Sequence, residues 1–189
     1  MGATDAEVID SSLAEPLRFA LIFDRYAEPI RRFAVARVGS AADDVTAEVF
    51  RIAFERRATF DLAVPNARPW LYGIATNVVR RERRDRARGI AALERIHHRR
   101  DPMGDPLLDV AGRLDAQSRA DQLRDAVLAL GEHERELLLL VAWDQLSPTE
   151  AAHALGIPAE TARTRLFRAR QRVRAHLATN PEVPSDATP

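Results

Sequence analysis

The chain has 189 residues, no cysteine and a formal net charge of zero, with 46% hydrophobic and 30% charged residues. This composition is typical of a globular protein, and the lack of cysteine excludes disulfides and thiolate metal sites. No run of about 18 apolar residues is present, so no membrane insertion is expected. Residues 1–15 are acidic and lack the cationic start of a signal peptide, so we expect a cytoplasmic protein.

The charge is sorted along the chain into alternating blocks. Residues 1–61 carry a net charge of −3 and residues 101–160 a net charge of −8, whereas residues 62–100 carry +7 and residues 161–189 carry +4. The chain has no lysine, so arginines carry all of the formal positive charge. Two basic blocks alternate with two acidic ones, and this distribution says more about possible partners than the net charge of zero does.

Three helices are predicted in the N-terminal half, after a segment of residues 1–16 that we predict to be disordered. They cover about residues 17–38, 42–57 and 69–88, and each has apolar side chains at helical spacing. Pro69 stands where a first-turn proline belongs. The second helix carries a charged surface on the side opposite its apolar stripe, formed by Asp43, Asp44, Glu48 and Arg51.

The remaining chain predicts a second helical domain. Proline and glycine mixed with charged residues predict a flexible linker over residues 96–120. Helical patterns resume over residues 121–178, and the proline-containing residues 179–189 are predicted to be disordered. No segment alternates convincingly between apolar and polar residues, so the predicted fold is all-α, with two small helical domains, residues 17–95 and 121–178, joined by the linker.

Residues 146–174 have the pattern of a helix-turn-helix. Ser147 and Glu150 form a capping box at the start of the first helix, and Gly156 and Pro158 make the turn to the second. The second helix carries arginine, threonine and phenylalanine on both sides of its apolar stripe, residue types that can hold phosphates and read base edges in a major groove. The alternative is an ordinary helical hairpin with a solvated arginine surface. The candidate residues for contact with duplex DNA are Ser147, Thr161, Arg163, Thr164, Arg165, Phe167, Arg168 and Arg170.

The third helix carries a second candidate surface, which we call the downstream face. An aromatic ring, an amide and several guanidinium groups on one exposed side could stack a base, read its edge and hold the phosphates of single-stranded DNA. A buried tryptophan beside a solvated run of arginines is the simpler explanation from the residues alone, and both stay open. The downstream face consists of Trp70, Asn77, Arg80, Arg81 and Arg84.

The order of these pieces resembles the extracytoplasmic-function (ECF) group of bacterial RNA polymerase sigma factors. The resemblance rests on the acidic second helix with residues 43–50, the segment of residues 68–77, and the terminal helix-turn-helix with residues 161–170. It covers about residues 19–177. It implies that the N-terminal domain is sigma region 2 and that the C-terminal domain is sigma region 4.

The resemblance also implies partners and residue roles. It implies that Asp43, Asp44, Glu48 and Arg51, the clamp face, contact the clamp helices of the polymerase β′ subunit. The loop of residues 58–67 and the downstream face would take the non-template strand of the downstream promoter element, with one base flipped toward the loop. Region 4 would read the upstream element as a duplex and touch the polymerase β flap. An anti-sigma factor is implied as a further partner.

Two positions depart from the pattern of the family. The family usually has glutamine where this chain has Ala47, and commonly has an acidic residue where this chain has Arg81. On the resemblance, Ala47 would change one contact with the β′ clamp helices, and Arg81 would change contacts with the non-template strand.

Other functional classes have less support. The chain shows no glycine-rich phosphate loop, no nucleophile context and no convincing metal cluster, since its only adjacent histidines, His97 and His98, are in the predicted linker. We therefore expect no enzyme, no metal and no cofactor. The main alternative is a helix-turn-helix regulator whose N-terminal helical domain senses a ligand or dimerises. A non-DNA adaptor is a third class.

Overall fold

In the computed structural model, residues 2–97 and 114–179 are described, and they contain helices and no strand. The predicted all-α class is confirmed. Short 3-10 turns at Pro16–Phe19, Gly39–Ala41 and Arg57–Thr59 connect some of the α-helices. The α-helices are α1 (Asp5–Ala14), α2 (Ala20–Val38), α3 (Ala42–Arg56), α4 (Arg68–His97), α5 (Leu114–Leu128), α6 (Glu132–Ala142), α7 (Pro148–Leu155) and α8 (Ala159–Thr179).

Helices α2, α3 and α4 form the N-terminal domain because their apolar stripes face one another. Phe33 of α2 meets Tyr72 of α4 edge to face, with 5.3 Å between ring centroids. Val49 of α3 and Leu71 of α4 are fully buried in the same cluster. The predicted stripes are confirmed in their centres, whereas Phe23 at the start of α2 is 46% exposed.

The prediction that residues 1–16 are disordered is wrong. The Thr4 hydroxyl and the Glu7 carboxylate form a capping box at the start of α1, and the side chains of Val8 and Ile9 are 3% and 0% exposed. A ten-residue helix with so few buried apolar positions has little periodicity of its own. Because isolated helices of this length are marginal in water, α1 depends on its contacts with the rest of the domain.

The predicted linker, residues 96–120, also needs correction at both ends. Helix α4 continues to His97, and α5 already begins at Leu114. Gly89 does not end α4, since one glycine costs a helix only about 1 kcal/mol and its neighbours are good helix formers. Residues 98–113, which include His98, lie outside the described residues. So do residues 180–189 of the predicted tail, and Thr179 belongs to α8.

The predicted helix-turn-helix is confirmed in α7 and α8. The Ser147 hydroxyl accepts a hydrogen bond from the Glu150 amide, and the Glu150 carboxylate accepts one from the Ser147 amide, at 3.2 and 2.8 Å. Gly156 ends α7 with φ 64° and ψ 34°, a left-handed conformation that glycine adopts without strain. The buried stripe of α8 consists of Ala162, Leu166, Ala169 and Val173.

The two helical domains share one hydrophobic cluster in this structure. Leu137 and Leu140 of α6 and Ala151 of α7 are buried together with side chains of α2, α3 and α4. A smaller cluster joins α5 to α8. Helix α7 makes the main interdomain contact, with α4, while α6 and the first half of α8 also bury apolar side chains in the shared cluster.

The core contact of α1 predicts a measurable stability effect. Replacing the fully buried Ile9 with alanine leaves a cavity and should lower the free energy of unfolding by about 2–5 kcal/mol. The matched replacement Leu13→Ala, at a side chain that is 45% exposed, should change it by no more than about 0.5 kcal/mol. Urea denaturation followed by circular dichroism measures both, and equal effects of the two variants would contradict a docked α1.

Candidate nucleic-acid interface

The outer side of α8 faces solvent because its apolar stripe packs against the rest of the C-terminal domain. Phe167 is 63% exposed, although it is a large apolar side chain. Thr161 and Arg165 are half-buried at the edges of the stripe. The exposed candidate residues on α8 are Arg163, Thr164, Phe167, Arg168 and Arg170. The helix therefore presents guanidinium groups, a hydroxyl and an aromatic ring to solvent on one element.

Ser147 lies at the start of α7 and has a structural role there. Its hydroxyl accepts the hydrogen bond from the amide of Glu150 as part of the helix cap. The residue is exposed, and a hydroxyl that accepts one hydrogen bond still has its own proton to donate. Capping and a contact with a phosphate oxygen are therefore compatible.

The structure divides the predicted downstream face of α4 into exposed and covered parts. Asn77, Arg81 and Arg84 are exposed. Trp70 is half-buried and packs edge-on against Phe60, with 5.2 Å between ring centroids. Arg80 is half-buried and forms an ion pair with Glu136 of α6. The prediction of one continuous exposed surface is wrong, because the C-terminal domain covers part of it.

Helix α7 covers α4 at Gly73. A Cβ atom placed on Gly73 would lie 3.0 Å from the carbonyl oxygen of Ala154, closer than ordinary van der Waals contact. The two helices therefore approach as closely as they do because this position has no side chain.

A buried ion pair crosses the same interface. The Arg37 guanidinium donates to the Asp144 carboxylate at 2.8 Å, and the two side chains are 4% and 5% exposed. Burial lowers the pKa of Arg37 and raises the pKa of Asp144, because each charged form loses hydration. Arg68 also donates to the main-chain carbonyl of Asp144. Such a pair fixes one arrangement but contributes little net stability, since desolvation offsets the attraction.

Sequence patterns give only one signal for this pair. Arg37 follows Phe33 by one helical turn and Ile30 by two, so a charged residue stands in an apolar stripe. Its partner is 107 residues away in sequence, in the short connection between α6 and α7. A local sequence pattern therefore could not predict that Arg37 pairs with Asp144.

A cleft of about 190 Å³ lies beside the ion pair, between α4 and α6. Its walls are mostly charged and come from both domains; they include Arg80, Arg83, Glu132, Arg135 and Glu136. The interdomain contact is therefore partly polar next to its apolar part. Polar, incompletely filled interfaces are typical of domains that separate and rejoin.

The clamp face on α3 is accessible in this arrangement. Asp43, Asp44 and Arg51 are exposed and Glu48 is half-buried. Arg51 donates to Glu48 at 2.6 Å and to Glu55 at 2.5 Å, and its bond to Glu48 lowers the pKa of that carboxyl. These bonds link successive turns of α3, while Asp43 accepts from Arg31 of α2 at 2.8 Å.

Ala47, one of the two departures from the family pattern, is exposed beside the clamp face. Arg81, the other departure, is exposed on α4, and its Nε atom lies 3.7 Å from a carboxylate oxygen of Asp85, one turn farther along the helix.

None of the helices within residues 2–97 and 114–179 is long and apolar enough to cross a membrane.

Family models match both halves of the chain. Residues 22–89 match the model for Sigma-70 region 2, and residues 120–173 match the model for Sigma-70 region 4. Among known proteins, the RNA polymerase sigma factor NccH of Alcaligenes xylosoxydans xylosoxydans is 31% identical over 159 residues, which are 82% of this chain and 81% of NccH. The ECF RNA polymerase sigma factor SigW of Bacillus subtilis strain 168 is 28% identical over 169 residues, 84% of this chain and 88% of SigW.

A solved structure shares the fold. It is the co-crystal structure of the sigma factor RpoE with the anti-sigma factor NepR from Bartonella quintana. The TM-score is 0.60 at 22% sequence identity, and the match covers 86% of this chain and 98% of that one.

The buried ion pair predicts how the domain arrangement responds to substitution. Asp144→Ala leaves the Arg37 guanidinium buried without its carboxylate, which should destabilise the closed arrangement by about 3–5 kcal/mol and separate the domains. Replacing both residues with leucine removes both charges and should keep the domains together. Small-angle X-ray scattering measures the change as a larger radius of gyration for the single variant alone. Asp125→Ala, at an exposed carboxylate of α5, is the control, and a wild-type scattering curve for Asp144→Ala would contradict the prediction.

Proposed function

Because the chain belongs to the extracytoplasmic-function group of RNA polymerase sigma factors, we propose that it binds core RNA polymerase, recognises promoter DNA and promotes strand opening. The observation that carries this proposal is the combination of two separate exposed surfaces, the outer side of α8 and the clamp face of α3, on the two matched sigma regions. It acts as a binding protein and not as an enzyme. Its place of action is the cytoplasm, where RNA polymerase works.

Region 4, residues 121–178, would read the upstream promoter element through α8. Arg163 and Arg168 suit phosphate contacts or forked hydrogen bonds to guanine, and Thr164 and Phe167 suit base edges and thymine methyl groups. Thr161, Arg165 and Arg170 flank this set, and Ser147 at the start of α7 suits a phosphate of the same groove. Phe167 is 63% exposed, so its ring is available for contact with a thymine methyl group.

Region 2, residues 17–95, would hold the separated strand through the downstream face. Asn77, Arg81 and Arg84 are open to a strand as the domains stand. Arg80 becomes available only when its ion pair with Glu136 is broken. Trp70 lies behind the loop of residues 58–67 and supports it by packing on Phe60. The domains therefore part when region 2 takes the whole downstream element, and the residues between α4 and α5 connect them.

The clamp face would contact the β′ clamp helices of the polymerase. Its carboxylates lie on one side of α3 and suit a basic or polar partner surface. Arg51 holds Glu48 in place through a bond between neighbouring turns, so this carboxylate is already oriented before binding. Region 4 would contact the β flap.

We further propose an anti-sigma factor as a regulatory partner. The solved structure with the shared fold contains a sigma factor bound to an anti-sigma factor, and this supports the proposal. Such a partner would cover the surfaces that bind polymerase and DNA. Pull-down of the tagged chain from non-inducing cells, followed by mass spectrometry, should recover it at near-equal amounts.

Reconstituted transcription tests the central function. Purified core polymerase with this chain should start RNA synthesis on a cognate promoter, and Arg168→Ala should lower promoter use roughly 5- to 150-fold if this arginine contacts a guanine, which corresponds to about 1–3 kcal/mol. Arg18→Ala, at an exposed arginine beside Glu15, is the matched control and should have no effect. A chain that represses a promoter alone and supports no synthesis with core polymerase would refute the sigma function.

Charge reversal on the clamp face tests the contact with polymerase. Asp44→Arg should weaken binding to core polymerase by at least about tenfold, and the loss should shrink as salt is raised, because exposed charges are screened. Fluorescence anisotropy of the labelled chain titrated with core polymerase measures the affinity. Asp10→Arg, on the exposed side of α1, controls for net charge. Equal affinities of the two variants would place the contact elsewhere.

A further inference from the structure

Helix α1 contacts both ends of the loop that joins α3 to α4, residues 57–67. At the end next to α4, the Asp5 carboxylate accepts a hydrogen bond from the Ala67 main-chain amide at 2.9 Å. The same carboxylate accepts from the Tyr26 hydroxyl at 2.5 Å and from the Arg25 guanidinium at 2.6 Å. Asp5 is 6% exposed, so these donors replace the water that it loses.

The Asp5 contacts also fix the start of α4. The side-chain carbonyl of Asn66 accepts from the Arg68 amide at 2.8 Å and lies 3.1 Å from the Tyr26 hydroxyl. Burial and the bond to Asp5 raise the pKa of Tyr26 above its usual range, so its hydroxyl stays protonated. The last residues of the loop are therefore tied to α1 and α2 by one connected set of hydrogen bonds.

The other end of the loop is tied to the opposite end of α1. The Arg57 guanidinium donates to the Ser12 carbonyl at 3.4 Å and to the Phe54 carbonyl at 2.6 Å, and it lies 3.9 Å from the centre of the Phe54 ring. Since α1 has ten residues, it is about 15 Å long. The helix thus spans the distance between the two ends of the loop.

The middle of the loop packs against the domain on one side and is exposed to solvent on the other. Phe60 is buried against Trp70, and the Asp61 carboxylate accepts from the Ala63 amide at 3.0 Å. Leu62 next to this turn is 49% exposed. Anchored ends and an exposed tip are the features of a preformed binding loop.

We propose that α1 fixes the loop of residues 57–67 in the conformation that reads the downstream promoter element, with Asp5 as the positioning residue. The inference rests on the proposed sigma function. Flipping a base out of its stack costs free energy of stacking, and contacts between the base and the loop must offset this cost. They do so most effectively if the loop already has the binding conformation, because no free energy is then spent on ordering the loop. Loosening the loop therefore lowers discrimination between bases. The clamp face is held by α2 and by its own ion pairs, so binding to polymerase does not depend on Asp5.

The variant Asp5→Asn tests the proposal in the full chain. It keeps the shape of the side chain but removes the charge that three donors share. Tyr26→Phe is a milder second variant that deletes one of these donors, and Asp10→Asn is the matched control on the exposed side of α1. Hydrogen exchange should accelerate at the Ala67 amide and within residues 57–67 for the first two variants, while the amides of α3 keep their protection.

The functional readout uses holoenzyme and premelted promoter templates that carry each of the four bases in turn at every downstream position. Asp5→Asn should lower discrimination at one position by about fivefold or more, the equivalent of one lost hydrogen bond, and Tyr26→Phe should lower it less. Affinity for core polymerase should stay that of the wild type.

Each outcome is decisive. Unchanged discrimination together with normal transcription would overturn the positioning role and leave the sigma function intact. Parallel losses of discrimination and of polymerase binding in both variants would show that α1 is only a general stability element. A wild-type chain that supports no promoter-dependent synthesis would refute the proposed function itself, independently of Asp5.

Discussion

The close contact between α4 and α7 determines how the two domains lie together. It depends on Gly73, where a side chain would collide with the backbone of α7. With that contact made, Arg80 reaches Glu136 of α6, and Arg37 reaches Asp144 in the connection that precedes α7. One face of α4 builds the core of the N-terminal domain, and the other receives the C-terminal domain. These two contacts of α4 largely determine which candidate binding residues are exposed and which are covered.

The polar groups of the interdomain contact define one arrangement of the domains but add little to its stability. The Arg37–Asp144 pair is buried, and burial acts against both charges, so the pair orients the domains more than it holds them. Beside it lies a cleft with charged walls. The outer side of α8 and the clamp face of α3 remain exposed meanwhile. The closed arrangement therefore leaves the proposed sites for polymerase and duplex DNA accessible and restricts mainly the site for the separated strand.

Local patterns predicted the elements that carry their own signal. The capping box of Ser147, the turn at Gly156 and the stripe of α8 lie close together in sequence, and their geometry is confirmed. Helix α1 escaped prediction because two buried apolar residues make too short a pattern, and its stability comes from contacts such as Asp5 with Ala67. The covering of Arg80 could not be predicted either, since its partner lies 56 residues away and in the other domain. Sequence alone indicates which side of a helix is polar, but long-range packing decides which part of that side stays open.

In the proposed function, region 4 and the separated strand would both use the α4 surface at Arg80, so they would compete for it. Competition at one site is a thermodynamic coupling, and coupling is reciprocal. On that proposal, any partner that holds region 4 away from α4 would make region 2 a better ligand for the strand. The strand, once bound, would keep region 4 free for the duplex to the same extent. A glycine on one helix would in this way make recognition of two distant promoter elements cooperative, without any contact between the two pieces of DNA.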